Sequence, residues 1–138
     1  CGYTPFDGAE YDYYTTTKGV LEKVKAHVDD VDFAVQPEVL SLLSSGNFGR
    51  YADEKGEMKV CFISNNDITG GNSGSAMFNS KGELLGLAFD GNWEAMGSDI
   101  LYEPKMQRTI GVDVRYILFM IEKYGKAGNL IRELNILN

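Results

Sequence analysis

Cysteine, histidine and long apolar runs are scarce in this sequence. Its 138 residues include two cysteines, Cys1 and Cys61, and one histidine, His27. Two cysteines are too few for a disulfide scaffold, and their spacing leaves open whether they form one bridge. No apolar stretch approaches the ~20 residues that a membrane-spanning helix needs. These shortages argue against a small disulfide-rich protein and against a membrane protein.

Clusters of basic residues and sets of metal ligands are lacking as well. The 13 Lys and Arg residues are scattered among 20 Asp and Glu residues, which gives a net charge of −7. Without a basic face, binding to a nucleic-acid backbone is not expected. Asp29, Asp30 and Asp32 lie close together, but the glycine and the distal glutamate of a calcium loop are missing. We therefore predict no metal site, no cofactor and no nucleic-acid partner.

Glycine and aromatic residues are abundant and indicate a mainly β protein. The chain has 16 Gly, eight Tyr and seven Phe, which are typical of turns and strands. We predict a single domain over residues 1–138, and residues 21–30 receive no assignment. Strands are predicted at 11–20, 59–64, 76–78, 83–89 and 109–114, and helices at 36–43 and from Arg115 onward. Loops are predicted at 2–8, 44–56, 65–75 and 91–104, with a hairpin turn at 79–82.

The segment 69–75, Thr-Gly-Gly-Asn-Ser-Gly-Ser, is the most informative part of the sequence. A serine hydroxyl attacks a carbonyl carbon only when it is exposed and when nearby donors receive the negative oxygen that forms. Gly71 precedes Ser73 by two residues and allows a turn in which the N–H groups of Gly71 and Ser73 converge. A position between two strands favours a β-barrel protease over an α/β-hydrolase, whose serine lies between a strand and a helix.

Taken alone, Gly-Asn-Ser-Gly also describes an ordinary surface loop, because Asn, Gly and Ser are common turn residues. The surrounding elements are more specific. A predicted buried strand precedes the segment, a hairpin follows it, and the returning strand ends in Phe89-Asp90-Gly91-Asn92-Trp93. Chymotrypsin-like proteases place their substrate-binding strand at this point, and a C-terminal helix also fits them.

Several segments together resemble the bacterial dipeptidyl-peptidase 7 family. They are 69–75, 82–84, 89–94, 11–16 and 107–116, and they span nearly the whole chain. One departure is Ala76, where the family usually has proline, and it concerns the strand entry more than the chemistry. The resemblance implies the C-terminal part of a serine exopeptidase. Its expected fold is a chymotrypsin-like six-stranded barrel, the second of two barrels, with a C-terminal helix.

The resemblance also implies roles for four residues. Ser73 is the expected nucleophile, and the backbone N–H groups of Gly71 and Ser73 form the expected oxyanion hole. Asp90 is expected to hold the free α-amino group of a peptide substrate, because a carboxylate at the cleft favours a cationic terminus. Gly91 stands where family members with Arg cleave after Asp or Glu. Glycine there leaves an open apolar pocket, which implies cleavage after a hydrophobic second residue.

The remaining catalytic groups are expected outside this chain. A serine triad needs a histidine and a carboxylate, and His27 precedes Ser73 too closely for the preceding barrel to fit between them. His27 is therefore predicted to be solvated. The family's His and Asp lie in an N-terminal portion, together with a helical domain that caps the cleft. The rest of the parent chain is thus an expected partner, and the isolated fragment is expected to be inactive.

The setting and three further residues complete the expectations. The start at Cys1 and not at Met indicates a processed or truncated product. The resemblance implies a parent in the periplasm or at the cell surface, and it leaves a homodimer open.

Asp67 lies where trypsin-like enzymes carry a pocket acid, Trp93 is predicted in the core more than at the cleft, and Cys61 is predicted as a buried hydrophobe. Two alternatives remain: a non-catalytic β-barrel module and a trypsin-like endopeptidase.

Overall fold

The computed structural model of the chain describes residues 12–97 and 103–137. Five strands are present in these ranges: β1 (Tyr14–Thr16), β2 (Lys59–Ser64), β3 (Ala76–Phe78), β4 (Leu84–Gly91) and β5 (Thr109–Asp113). The helices are α1 (Thr17–Ala26), α2 (Pro37–Ser44), α3 (Val114–Phe119) and α4 (Gly128–Glu133). A π-helical turn, Met120–Tyr124, follows α3, and 3₁₀ turns lie at Val31–Phe33, Gly49–Tyr51 and Trp93–Gly97.

The chain divides into two compact units. The sheet unit comprises Cys1–Thr15 and Val60–Val114, and the helical unit comprises Thr16–Lys59 and Arg115–Asn138. The glycine-rich segment 69–75 belongs to the sheet unit. The assignment of residues 1–138 to a single domain stays a prediction, because compact units need not be separate domains.

The strands form one antiparallel sheet in the order β1-β2-β5-β4-β3. Strand β5 lies antiparallel between β2 and β4, with Cys61 and Leu87 on either side of Val112. Strands β3 and β4 form a hairpin closed by the turn at 79–82, where the Asn79 side chain accepts the N–H groups of Lys81 and Glu83. The chain is thus an antiparallel five-stranded sheet with helices, as the mainly β prediction expects.

Two glycines let the sheet pack closely around Phe62. A Cβ atom at Gly111 would lie 2.7 Å from both the Met77 sulfur and Phe62 Cζ. A Cβ atom at Gly86 would lie 2.8 Å from Phe62 Cε1 and would also collide with the carbonyl oxygen of Val112. Glycine at both positions is therefore a packing requirement of the sheet, since real side chains do not approach so closely.

Gly111→Ala should therefore destabilise the protein by about 1–3 kcal/mol, because an added methyl overpacks a fixed core. Gly19→Ala is the matched control. Gly19 lies in α1, and no atom lies within 4 Å of an added Cβ there. Alanine at that position should stabilise the helix by about 0.5–1 kcal/mol. Urea unfolding measures both, and equal effects of the two substitutions would contradict the packing account.

Aromatic side chains form the core of the helical unit. Phe119 is 1% exposed and contacts the rings of Phe48 and Tyr51 edge-on, at centroid distances of 5.7 and 6.1 Å. The Tyr51 hydroxyl donates a hydrogen bond of 2.6 Å to Glu122 Oε2. Burial, followed by this hydrogen bond, raises the pKa of Tyr51 to about 12, and the bond from Tyr51 lowers the pKa of Glu122. The bond satisfies a buried hydroxyl and connects the 3₁₀ turn Gly49–Tyr51 with the π-helical turn.

Tyr51→Phe should cost about 1–3 kcal/mol of unfolding free energy at pH 7, because the hydroxyl donates to a charged acceptor. Because the pKa of Glu122 is lowered in the folded protein, its ionised carboxylate stabilises the fold at pH values above the ordinary pKa of 4.5. This stabilisation is lost as pH falls through the pKa of the folded state. The cost of Tyr51→Phe should therefore shrink at acidic pH.

Tyr124→Phe is the control, since the Tyr124 hydroxyl donates at the surface to the neutral Gln36 amide. Tyr124→Phe should lower the free energy of unfolding by less than Tyr51→Phe does. This loss should not change between about pH 3 and about pH 7, because only carboxylates and histidine titrate in that range. Urea unfolding at both ends of this range tests the difference. A cost of Tyr51→Phe that does not change with pH would contradict the role of Glu122.

The predicted elements are confirmed in most of the sheet and are wrong at its start. Strands β2 and β3, the hairpin turn, helix α2 and the helix after β5 are confirmed. The predicted strand 11–20 is wrong from Thr17, where α1 begins, because Thr17, Val20, Leu21 and Val24 recur at helical spacing and face inward. Strand β2 and its Cys61 are half-buried and not fully buried. The predicted loop 2–8, Cys1, residue 11 and residues 98–102 lie outside the described residues.

Candidate active site

The glycine-rich segment forms two consecutive turns that Asn72 holds in place. The N–H of Asn72 donates to the Thr69 carbonyl at 3.2 Å, and the N–H of Ser75 donates to the Asn72 carbonyl at 2.9 Å. The Asn72 side chain closes the first turn from the other direction, because its Oδ1 accepts the Thr69 N–H at 2.9 Å. Asn72 and Thr69 are thus bonded reciprocally around Gly70 and Gly71.

Glycine is required at two positions of this loop by backbone conformation. Gly71 has φ of 95° and Gly74 has φ of 86°, values that residues with a side chain rarely adopt. The N–H of Gly74 donates to the Ala88 carbonyl at 2.7 Å, and the N–H of Ala88 donates to the Ser75 carbonyl at 2.8 Å. These two bonds attach the loop to β4 immediately after Ser73.

Ser73 presents an exposed hydroxyl beside two available backbone donors. Its Oγ donates to the Phe89 carbonyl at 3.3 Å. Phe89 is the extra residue where the pairing of β4 with β5 shifts register between Ala88 and Asp90, and such bulges redirect the backbone. Within the described residues, neither the Gly71 N–H nor the Ser73 N–H donates a hydrogen bond. An exposed hydroxyl can serve as a nucleophile, and nearby N–H groups that donate no hydrogen bond can serve as its oxyanion hole.

A cleft of about 240 Å³ opens beside Ser73. It is enclosed by the glycine-rich loop, the end of β4 and the 3₁₀ turn Trp93–Gly97. Most of its lining is apolar or backbone, and Asp90 contributes a carboxylate. The lining residues are Ile68, Thr69, Gly70, Ser73, Ala88, Phe89, Asp90, Gly91, Asn92, Ala95 and Met96. The structure therefore brings three of the four predicted site residues, Ser73, Asp90 and Gly91, to one cleft, and Gly71 lies in the loop that borders it.

Asp90 and Gly91 end strand β4 at this cleft. Asp90 is exposed, and its Oδ1 accepts the N–H of Gly91 at 2.8 Å. Gly91 packs closely against the 3₁₀ turn, since an added Cβ would lie 2.8 Å from Ala95 Cβ. Asp90 thus contributes a carboxylate to the cleft, and the 3₁₀ turn packs against the main chain at Gly91.

Asn92 organises the wall of the cleft, a role that the sequence analysis did not predict. It is 7% exposed, and its Nδ2 donates to the Met106 carbonyl and to Glu94 Oε2, both at 2.8 Å. Its Oδ1 accepts the Arg108 N–H at 2.8 Å, and its backbone N–H donates to the Arg108 carbonyl at 2.9 Å. Met106 and Arg108 lie more than ten residues along the chain from Asn92, so no local pattern marks these contacts.

Other predicted residues lie away from this arrangement. Trp93 is 81% exposed, so its predicted place in the core is wrong: Asn92 fills the buried position, and Trp93 begins the surface turn. Asp67 lines a separate small cavity with Arg108. Cys61 carries a free thiol whose pKa is raised by burial, which does not suit a nucleophile. His27 belongs to the helical unit and stacks on Phe33 at 4.2 Å.

The described parts of the chain contain neither a group of metal ligands nor a membrane-spanning helix. Among residues 12–97 and 103–137, no three His, Cys, Asp or Glu side chains are grouped so that they could hold a metal ion. Within these ranges no helix is long and apolar enough to cross a membrane.

The exposed Ser73 loop, the bulged strand and the cleft form one candidate site, and comparison with known proteins identifies the family. A profile of the family Peptidase S46 matches residues 1–136. The chain belongs to the Peptidase S46 family. This agrees with the resemblance to dipeptidyl-peptidases that the sequence motifs indicated.

The relatives of this chain are much longer proteins. It is 60% identical to dipeptidyl-peptidase 7 of Porphyromonas endodontalis over 135 residues, which is 98% of this chain and 16% of that protein. It is 46% identical to the Asp/Glu-specific dipeptidyl-peptidase of Porphyromonas gingivalis, covering 98% of this chain and 18% of the relative.

A solved structure of a relative shares the fold of this chain. The crystal structure of Porphyromonas endodontalis DPP11 in complex with the dipeptide Arg-Glu matches with a TM-score of 0.88 and 43% identity. The match covers 96% of this chain and 19% of that protein. The chain thus spans less than a fifth of the length of this relative, and the fold of that part is shared.

The reciprocal bonding of Asn72 leads to a prediction for the loop. Asn72→Ala removes the acceptor for the Thr69 N–H, and the Thr69 amide should then exchange its hydrogen about fivefold faster, since one hydrogen bond contributes roughly 1 kcal/mol. Asn72→Asp keeps an oxygen at the same place and should retain the protection. Hydrogen exchange followed by NMR measures both, and unchanged protection of Thr69 in Asn72→Ala would show that the bond does not hold the turn.

Proposed function

We propose that this chain is the nucleophile-bearing C-terminal part of a serine dipeptidyl-peptidase, an aminopeptidase-type hydrolase that releases dipeptides from free peptide N-termini. One observation carries the proposal. The exposed Ser73 hydroxyl lies at a cleft, and the N–H groups of Gly71 and Ser73 in the same loop donate no hydrogen bond within the described residues. The relatives support peptide substrates, because they are named dipeptidyl-peptidases and one was crystallised with dipeptides.

In the proposed reaction, Ser73 Oγ adds to the carbonyl carbon of the second substrate residue and passes its proton to a base. The N–H groups of Gly71 and Ser73 stabilise the oxyanion. The peptide C–N bond breaks, and the amine leaves with that proton. Water then hydrolyses the ester, which releases the dipeptide and restores the hydroxyl. The Ser73 hydroxyl exchanges its bond to Phe89 for one to the base during the first step.

The base and the carboxylate that orients it are proposed to come from the rest of the parent chain. The relatives are several times longer than these 138 residues, since the chain covers 16% and 19% of the two dipeptidyl-peptidases 7 from Porphyromonas. The ring of His27 is engaged in stacking on Phe33. The isolated chain is accordingly expected to be inactive, and the parent is expected to be active.

Substrate selection is proposed to rest on Asp90 and Gly91. The exposed Asp90 carboxylate at the cleft would pair with the substrate's α-ammonium group, which excludes blocked or internal peptide segments. Gly91 adds no side chain of its own to the apolar lining of Ile68, Ala88 and Met96, which suits a hydrophobic second residue. The relatives named dipeptidyl-peptidase 7 are 49–60% identical to this chain, and the Asp/Glu-specific ones are 39–46% identical. The dipeptidyl-peptidases 7 are therefore the better guide to its substrate preference.

The resemblance supports a wider setting for this part of the protein. The five-stranded sheet would belong to a chymotrypsin-like six-stranded barrel. A His- and Asp-bearing barrel and a capping helical domain would complete the enzyme, a peptidase of the periplasm or cell surface that acts as a monomer or a homodimer.

The nucleophile is tested by dipeptide release in the full-length parent protein. Ser73→Ala should lower kcat at least about a thousandfold for substrates with a hydrophobic second residue, because the covalent step is lost. Ser80→Ala, in the hairpin turn, and His27→Ala should leave kcat unchanged. Turnover that depends on His27, or that survives Ser73→Ala, would contradict the proposal. Absence of release by the wild type would favour a non-catalytic module.

Recognition of the free N-terminus is tested with matched peptides. N-acetylation should abolish cleavage, because it removes the charge that Asp90 is proposed to bind. Asp90→Asn should raise KM for free peptides at least about tenfold, the expected cost of a lost charge-assisted hydrogen bond. Kinetics with free and acetylated forms of the same peptide measure both effects. Equal cleavage of the two forms would support a trypsin-like endopeptidase instead.

A further inference from the structure

One part of the cleft wall is shared with a second cavity. Ala95 and Ile68 line the cleft beside Ser73, and the same two residues line a much smaller cavity whose other walls include Asp67 and Arg108. Both cavities lie in the sheet unit. Ala95 contributes only a methyl group to the wall that the two cavities share.

Ala95 also determines what position 91 accepts. A Cβ atom at Gly91 would lie 2.8 Å from Ala95 Cβ, and the next atom, the Arg108 carbonyl oxygen, would lie at 4.0 Å. Gly91 is not among the glycines with positive φ, so its backbone conformation does not exclude a side chain. The obstacle to a side chain at position 91 is thus the methyl group of Ala95.

Neither residue can move away easily, because Asn92 fixes the segment between them. The Ala95 N–H donates to the Asn92 carbonyl at 2.9 Å, which sets the 3₁₀ turn against the end of β4. The buried Asn92 side chain is bonded to the Met106 carbonyl and to the Arg108 N–H. Relief of a clash at position 91 would therefore break bonds of a buried amide, which is costly.

We propose that Ala95 is a second specificity-determining residue of the cleft. Its methyl group keeps position 91 free of a side chain and closes the cleft toward the second cavity, which limits the size of the second substrate residue. This inference rests on the proposed function, since it concerns the peptide that the cleft takes. Residues 91 and 95 thus act as a pair, since the side chain at one position determines which side chains fit at the other.

The pair is tested with Gly91→Ala, Ala95→Gly and the double variant in the full-length parent protein. Gly91→Ala should lower kcat/KM for hydrophobic substrates at least about tenfold and should lower the melting temperature, because it overpacks the wall. The double variant should recover most of both losses, because the added Cβ then has space. Failure of Ala95→Gly to rescue Gly91→Ala in either readout would overturn the pairing.

Substrate size separates a role in specificity from a purely structural one. Ala95→Gly should raise the ratio of kcat/KM for a second-residue Phe over Ala about tenfold, and Ala95→Val should lower it, since small changes in pocket volume have effects of this size. Ala34→Gly, at the end of the 3₁₀ turn Val31–Phe33, is the control for a loosened backbone and should leave the ratio unchanged.

The outcomes of these measurements are distinct. An active wild type whose size preference is the same in Ala95→Gly and Ala95→Val would overturn the inference and leave the proposed function intact. A full-length wild type that releases no dipeptide would overturn the proposed function and this inference with it. A size preference that shifts in opposite directions in the two variants supports the role of Ala95.

Discussion

The candidate site depends on the reciprocal hydrogen bonds between Thr69 and Asn72. They close a turn in which Gly71 takes a left-handed conformation that side chains disfavour. The turn leaves the N–H groups of Gly71 and Ser73 without acceptors in the described part of the chain. Because Gly74 is then bonded to Ala88, the loop is attached to the sheet, and Ser73 is presented to solvent at a fixed place.

Five consecutive residues of one strand and its end complete the site. Ala88 attaches the loop, Phe89 accepts the serine hydroxyl at the bulge, and Asp90 and Gly91 line the cleft. Asn92 then joins this strand to the backbone at Met106 and Arg108. The bulge explains how neighbouring residues of one strand serve the same cleft, since strict alternation would direct them to opposite faces.

Local patterns were sufficient for part of this arrangement. Turn residues and β-favouring runs predicted β2, β3 and the hairpin, and the density of glycine predicted the loop that carries Ser73. The start of α1 was missed because the Thr-rich run Thr15–Thr17 favours strands, while the inward face of the helix becomes visible only over the next two turns. Asn92 and Ala95 were missed because their roles depend on contacts with distant residues or on a distance of a few ångströms, neither of which leaves a periodic signal.

The most direct measurement is a crystal structure of the full-length parent protein after reaction with a dipeptidyl phosphonate that has a free N-terminus. The account predicts a covalent bond from Ser73 Oγ to phosphorus and a phosphoryl oxygen at about 2.7–3.1 Å from the N–H groups of Gly71 and Ser73. A phosphonate bonded to another residue would contradict it. So would an oxygen that points away from these two amides.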